Sequence, residues 1–198
     1  MIYEIILQAL WFILPAYVAN ASAVIVGGGT PIDFGKKWRD GKRVLGDGKT
    51  WRGLFSGTFM GMTAGFGLVV ASQFIEASDY SFLNLSDFGE FPIMFPIIFS
   101  ICFGALLGDT IKSFFKRRIG KERGDDWILF DQLDFILGAL FFVFITSELL
   151  HLLNILPYNW FLDNFSILHI LVIVFITPFL HFFANFIHRR GRKKNVLE

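Results

Sequence analysis

The chain has 198 residues, about the length of one domain. Apolar residues make up 54% of it and charged residues 18%, with 26 Phe and a mean hydropathy of +0.57, which excludes a soluble globular fold, where about 25% of residues are charged. The single Cys, Cys102, excludes an intramolecular disulfide framework and a cysteine-based zinc site, and the formal net charge of +1 conceals a strong asymmetry along the chain.

A membrane-spanning helix needs about 20 mostly apolar residues. Five segments meet that requirement and predict an all-α integral membrane protein with a single membrane domain. The first, Ile2–Val26, has no basic residue before its apolar run, carries Glu4 there and is followed by further spans, so it reads as a span and not as a secretory signal. The second, Leu54–Ile75, has no formal charge. The third is apolar over Phe91–Leu107 and runs on as helix towards Phe115; the fourth is Phe135–Leu156 and the fifth Ile167–Ile187. All 18 Lys and Arg fall in the loop 27–53, the segment 108–134 and the tail 188–198, which five spans place on one side of the membrane. The positive-inside rule makes that side cytoplasmic and leaves the N-terminus outside. Ten acidic residues share that side, leaving it at +8, while the other side carries the remaining seven acids and no Lys or Arg. The connectors 76–90 and 157–166 are short, so function is expected on the cytoplasmic face of a multi-pass protein of the cell membrane.

The first loop is rich in Gly, Lys and Arg, a composition suited to a polyphosphate or to anionic headgroups. Gly48-Lys49-Thr50 resembles the end of a phosphate-binding P-loop, but Arg43 stands where that pattern requires Gly. Asp40-Gly41 and Asp47-Gly48 are turn dipeptides, and Asp33 reads equally as a loop-ordering ion pair or as a ligand.

In the second segment Asp109, Lys112, Ser113 and Lys116 share a helix face, and Asp131 and Asp134 share one at the start of the fourth span. Antiparallel packing of the third and fourth helices would bring the three carboxylates together at the membrane surface. Carboxylates at that depth need compensation. Shared Mg²⁺, or ion pairs to Lys112 or Lys116, would each supply it, and Asp131 and Asp134 also fit a helix start. His151, His169, His181 and His188 lie apart and are assigned to packing; Trp38, Trp51 and Trp127 read as interfacial aromatics.

These two segments together resemble the integral-membrane CTP:phosphatidate cytidylyltransferase superfamily, and most closely its short archaeal branch, the CDP-archaeol synthases. The resemblance is carried by Pro31–Lys36, Asp40–Gly53, Gly108-Asp109, Lys116-Arg117, Asp131-Gln132-Leu133-Asp134 and the tail from Thr177-Pro178 to Val196. The His-Gly-Gly that precedes the closing Asp pair in bacterial and eukaryotic relatives is replaced by Ile128-Leu129-Phe130, and the N-terminus is shorter, both as in the archaeal branch.

The resemblance implies CTP and an isoprenoid glycerol phosphate, 2,3-di-O-geranylgeranyl-glycerol 1-phosphate, as substrates, with CDP-archaeol and pyrophosphate as products. It implies nucleotide contacts from Asp33, Lys36, Lys37, Arg43, Gly48, Lys49, Thr50, Lys116 and Arg117. Asp109 and Asp131, then Asp134, would hold two Mg²⁺, and Lys49 and Lys116 would join Asp109 and Asp131 in catalysis. In-line displacement at phosphorus commonly uses two such ions, which suits these acids. A phosphatidate substrate is the nearest alternative. An ion transporter would need polar residues at mid-depth, where only Asn20 stands out, and a non-enzymatic lipid anchor would need no acids. Nucleic acid is not an expected partner.

Overall fold

The structure is a computed structural model that describes residues 2–121, 127 and 130–179. Four helices among them are long and apolar enough to cross a membrane: α1 (Ile2–Val26), α2 (Trp51–Glu76), α3 (Met94–Arg118) and α4 (Phe130–Leu152). A 3-10 turn at Ser81–Leu83 follows α2. A short helix α5 (Trp160–Asn164) lies in the connector expected to be plain, started by Asn159, whose side chain accepts from the Leu162 N–H at 3.1 Å. The apolar helix α6 (Ile167–Phe179) covers the first part of the fifth expected span. The rest of that span, the tail 188–198, Arg123, His181 and His188 lie outside the described residues.

The helix boundaries depart from expectation in ways that bear on the two basic segments. Thr50 caps α2, its hydroxyl accepting from the Gly53 N–H at 3.1 Å, so the helix starts at Trp51 and not at Leu54. Helix α3 begins three residues later than expected and continues to Arg118, where Lys116, Arg117 and Arg118 complement the negative end of its dipole. Helix α4 begins at Phe130, so Asp131 and Asp134 stand inside its first turns.

Helices α1 and α2 form one closely packed pair, α3 and α4 another, and α1 packs on α3. Lipid tails are as apolar as Leu, so helices in a membrane associate through close contact at small residues. A Cβ placed on Gly57 would lie 2.8 Å from the Ala19 carbonyl oxygen, and one on Gly61 2.8 Å from Cys102 Sγ. Across the second pair, a Cβ on Gly104 would lie 2.8 Å from the Gly138 carbonyl oxygen. Phe55, Phe59, Phe74, Phe95, Phe141 and Phe175 face outward, as lipid-facing side chains do. At the end opposite the basic loop, the Gln8 amide donates to the Leu83 carbonyl at 2.9 Å and faces His169 at 3.0 Å, while His151 Nδ1 lies 3.2 Å from the Leu156 carbonyl.

Candidate active site

The first loop is folded around one carboxylate. Antiparallel bridges pair Pro31 with Thr50 and Lys37 with Arg43, and the Ile32 N–H donates to the Lys49 carbonyl at 2.8 Å. Asp33 is buried at the centre. Its Oδ1 accepts from Arg43 Nη2 at 2.9 Å and from the Gly35 N–H at 3.1 Å; its Oδ2 accepts from the Leu45 and Gly46 N–H groups at 2.9 and 3.0 Å. Burial alone would raise the pKa of this carboxyl. The Arg43 guanidinium and the three backbone N–H groups outweigh it and hold the carboxyl well below the usual carboxylate range. Arg43 also reaches Asp47 at 2.8 Å, and these two carboxylates raise its own pKa further above the guanidinium's ordinary value.

Asp33 and Arg43 do not line the cavity described below; they spend their polar groups on each other, on Asp47 and on the loop backbone. Lys36 and Lys37 are exposed and likewise stand away from that cavity. Asp40 serves its turn, accepting from the Lys42 N–H at 3.1 Å, and also accepts from Arg118 Nη1 at 2.6 Å across to α3.

The loop is stapled to the end of α3. Lys42 Nζ donates to the Arg118 carbonyl at 3.2 Å, Arg118 to the Arg43 carbonyl, and Arg117 Nε to the Leu45 carbonyl at 3.3 Å. Gly46 admits this contact: its φ is +93°, and a Cβ there would lie 3.0 Å from Arg117 Nη2.

Close packing of α3 on α4 brings the acids together. A Cβ on Gly108 would strike the Asp134 carbonyl oxygen and lie 2.9 Å from Gly138 Cα, so only Gly permits this approach beside Asp109. Lys112 Nζ lies 3.2 Å from Asp109 Oδ1, 3.1 Å from Asp131 Oδ1 and 2.8 Å from Asp134 Oδ2. Lys49 pairs with Asp109 Oδ2, and Lys116 with Asp131 Oδ2 at 3.2 Å. Asp131 Oδ2 also accepts from the Trp127 N–H at 2.7 Å, a contact to the chain before α4 and not the N-cap bond to the turn that follows. Asp134 is buried, and its Oδ2, though close to Lys112, lacks hydrogen-bond geometry. Among the described residues three acids thus face three lysines, a set that is formally neutral.

A cavity of about 450 Å³ lies between the loop and α3. Gly48, Lys49 and Thr50 form one wall; Asp109, Lys112, Lys116 and Arg117 form the other; Ala23, Val24 and Leu106 add an apolar side. Asp131 and Asp134 stand behind Lys112 and do not line it. Among the described residues no group of three or more acidic, His or Cys side chains is arranged to hold a metal ion as it stands. The donor set nonetheless suits a hard divalent cation: all its atoms are carboxylate oxygens. They already converge on one positive charge, at distances longer than the about 2.0–2.1 Å of Mg–O bonds. Lys112 is the participant that the sequence placed on this face but not among the site residues; its spacing of three from Asp109 was the signal.

Comparisons with known proteins agree with this architecture. A family model for CDP-archaeol synthase matches residues 2–197. The CDP-archaeol synthase of Pyrococcus horikoshii is 40% identical over 190 residues, covering 96% of this chain and 95% of that protein. That of Archaeoglobus fulgidus is 42% identical over 195 residues, 98% of each, and that of Methanosarcina barkeri 42% over 176 residues, 88% of this chain and 93% of its own. A solved structure described as an intramembrane enzyme for archaeal membrane lipids biosynthesis superposes with a TM-score of 0.67 at 35% identity, covering 91% of this chain and 94% of that one. The chain belongs to the CDP-archaeol synthase family, and is a multi-pass membrane enzyme of the CTP-dependent nucleotidyltransferase class.

Proposed function

We propose that this member of the CDP-archaeol synthase family transfers CMP from CTP to 2,3-di-O-geranylgeranyl-glycerol 1-phosphate, giving CDP-archaeol and pyrophosphate at the cytoplasmic face of the cell membrane. The observation that carries this reading is a cavity with Gly48-Lys49-Thr50 on one wall and Asp109, Lys112 and Lys116 on the other, behind which Asp131 and Asp134 join the same ion-pair network. The cavity volume of about 450 Å³ is in the range of small-molecule sites.

An oxygen of the lipid phosphate attacks the α-phosphorus of CTP in line with the bond to the β-phosphate. One P–O bond forms, one breaks, and the electron pair leaves with pyrophosphate. The nucleophile is already ionised at neutral pH, so no general base is required. Lys49, Lys116 and Arg117 line the cavity and would neutralise the phosphate charge, while the backbone at Gly48 allows the chain to approach it closely. Asp109, Asp131 and Asp134 would hold Mg²⁺, which when bound stabilises charge on the attacking and leaving oxygens. The apolar side at Ala23, Val24 and Leu106 suits the start of the lipid chains. The bunching of Lys and Arg in the loop and the segment after α3 supports the cytoplasmic orientation.

Purified protein, given CTP, the ether-lipid phosphate and Mg²⁺, is expected to release pyrophosphate. Chelation of divalent ions should stop it, and Asp109→Asn or Asp131→Asn should remove nearly all turnover while the helical circular dichroism is retained. Unchanged turnover in both variants would refute the assignment, and equal rates with a diacylglycerol phosphate would point to the phosphatidate alternative.

A further inference from the structure

We propose that Lys112 is the resident cation of the carboxylate cluster, and that a divalent ion loads the cluster by displacing its ammonium towards the cavity that receives the triphosphate. This rests on the reading that Asp109, Asp131 and Asp134 hold that ion.

The geometry separates Lys112 from its neighbours. Lys49 pairs with Asp109, and Lys116 with Asp131, whereas Lys112 reaches Asp109, Asp131 and Asp134 at 2.8–3.2 Å. An ammonium carries three N–H donors, and here three carboxylates from two helices surround it. Asp134 Oδ2 is buried and makes no hydrogen bond of good geometry, so it is held there by charge; Lys112 Nζ at 2.8 Å is the cation it faces.

Charge balance supplies the rest. Among the described residues three acids and three lysines are neutral together, and a divalent ion added to them would leave an excess of two positive charges in a site of low exposure, which is costly. Withdrawal of one ammonium removes half of that excess, and among the described residues the ammonium of Lys112 is the one at the point of convergence. Its side chain also forms part of the cavity wall, so withdrawal from the acids turns it towards the space beside Lys49 and Lys116. Ion loading and phosphate capture are thereby coupled through one side chain.

Mn²⁺ titrated into detergent-solubilised protein without nucleotide, with free ion read by electron paramagnetic resonance, tests this apart from activity. Lys112→Met is expected to lower the apparent Kd about tenfold or more by removing the competitor, and Asp134→Asn to raise it. Equal or weaker Mn²⁺ binding by Lys112→Met overturns the role of Lys112 and leaves the carboxylate assignment standing. No Mn²⁺ binding by either protein, with or without CTP, overturns the carboxylate assignment itself. Should Lys112→Met unfold without a divalent ion, the variant is prepared throughout in Mn²⁺, desalted and assayed by atomic absorption. Retention of Mn²⁺ by the variant but not by the wild type is expected. Loss from both, or failure of Mn²⁺ to keep the variant folded, counts against the proposal.

Discussion

Gly108→Ala tests whether the approach of α3 to α4 sets the carboxylate cluster. The added methyl would fall against the Asp134 carbonyl oxygen and 2.9 Å from Gly138 Cα, where ordinary carbon contacts are about 3.5–4.0 Å. The two helices must therefore part by about 0.6–1 Å at this level. The Lys112 contacts to Asp131 and Asp134, at 3.1 and 2.8 Å, cross between the two helices, and an opening of that size lengthens them towards or past the reach of an ion pair, about 4 Å. Overpacking of this kind costs about 1–3 kcal/mol, and a 1 Å misplacement of reacting groups can cost about a hundredfold in rate. Pyrophosphate release should accordingly fall by about two orders of magnitude, with thermal unfolding in detergent lowered by a smaller, graded amount. Gly67→Ala is the control, because a Cβ there meets nothing within 4 Å. A Gly108→Ala enzyme within about threefold of wild type, or a Gly67→Ala enzyme that loses as much, would refute the reasoning.

Three further outcomes follow from the division of labour among the charged residues. Lys49→Ala should lower turnover about a hundredfold or more, as loss of a charge-stabilising donor does, while Lys36→Ala and Lys37→Ala, on the exposed side of the loop, should change it less than tenfold; steady-state kinetics on the three variants decides this. Asp33→Asn should destabilise the loop by about 3 kcal/mol by leaving Arg43 without its buried partner, read by the fluorescence of Trp38 and Trp51 under denaturant. Because the Asp33 carboxyl is held below its ordinary range, its stabilisation is complete above the about 3.9 of an unfolded Asp and is lost only as pH falls below that; the fluorescence should stay constant from neutrality to about pH 4 in the wild type, and an earlier transition absent from Asp33→Asn would contradict the assignment. Thr50→Ala should cost about 1 kcal/mol through the lost cap of α2, measured by thermal unfolding.

Much of the fold was legible in the sequence because the membrane imposes a coarse rule, namely some twenty apolar residues for each crossing. Helices α1 to α4 were each placed within five residues at their starts. The errors have local causes. Thr50 was read with the loop, although its hydroxyl caps a helix, and the polar start of α4 was assigned to a connector because hydropathy sees Asp131 and Asp134 as loop residues. The short α5 sits in a segment whose apolar character carries no helical period long enough to detect. The closeness of α3 and α4 was written in Gly104, Gly108 and Gly138, which composition alone does not distinguish from loop-type glycines.

The candidate site was legible in part for a different reason. Helical spacing places Asp109, Lys112 and Lys116 on one face, and antiparallel neighbours bring in Asp131 and Asp134, so their meeting needed only periodicity and topology. The first loop offered no such periodicity. Arg43, Lys36, Lys37 and Lys49 are alike in charge and context along the chain, and their roles separate only once the loop closes around Asp33. The closure is itself a charge effect: Asp33 gathers Arg43 and the N–H groups of Gly35, Leu45 and Gly46, which turns Lys49 inward to Asp109 and leaves Lys36 and Lys37 outside.

The basic residues therefore serve two ends that net charge does not separate. Arg43, Lys42 and Arg118 spend guanidinium and ammonium donors on Asp33, Asp47, Asp40 and on backbone carbonyls, welding the loop to the end of α3. Among the described residues Lys49, Lys112 and Lys116 are opposed only by the three acids, and each stands on the cavity wall. The first group fixes the frame and the second remains exchangeable, because a lysine paired with a carboxylate can trade it for a phosphate at little electrostatic cost, whereas an arginine bonded to several backbone carbonyls has no equivalent partner to move to. A substrate arriving with phosphate charge and a divalent ion would thus rearrange the lysines without disturbing the loop that carries Gly48 and Thr50, which is how a site so rich in mutual ion pairs remains open to ligands at all.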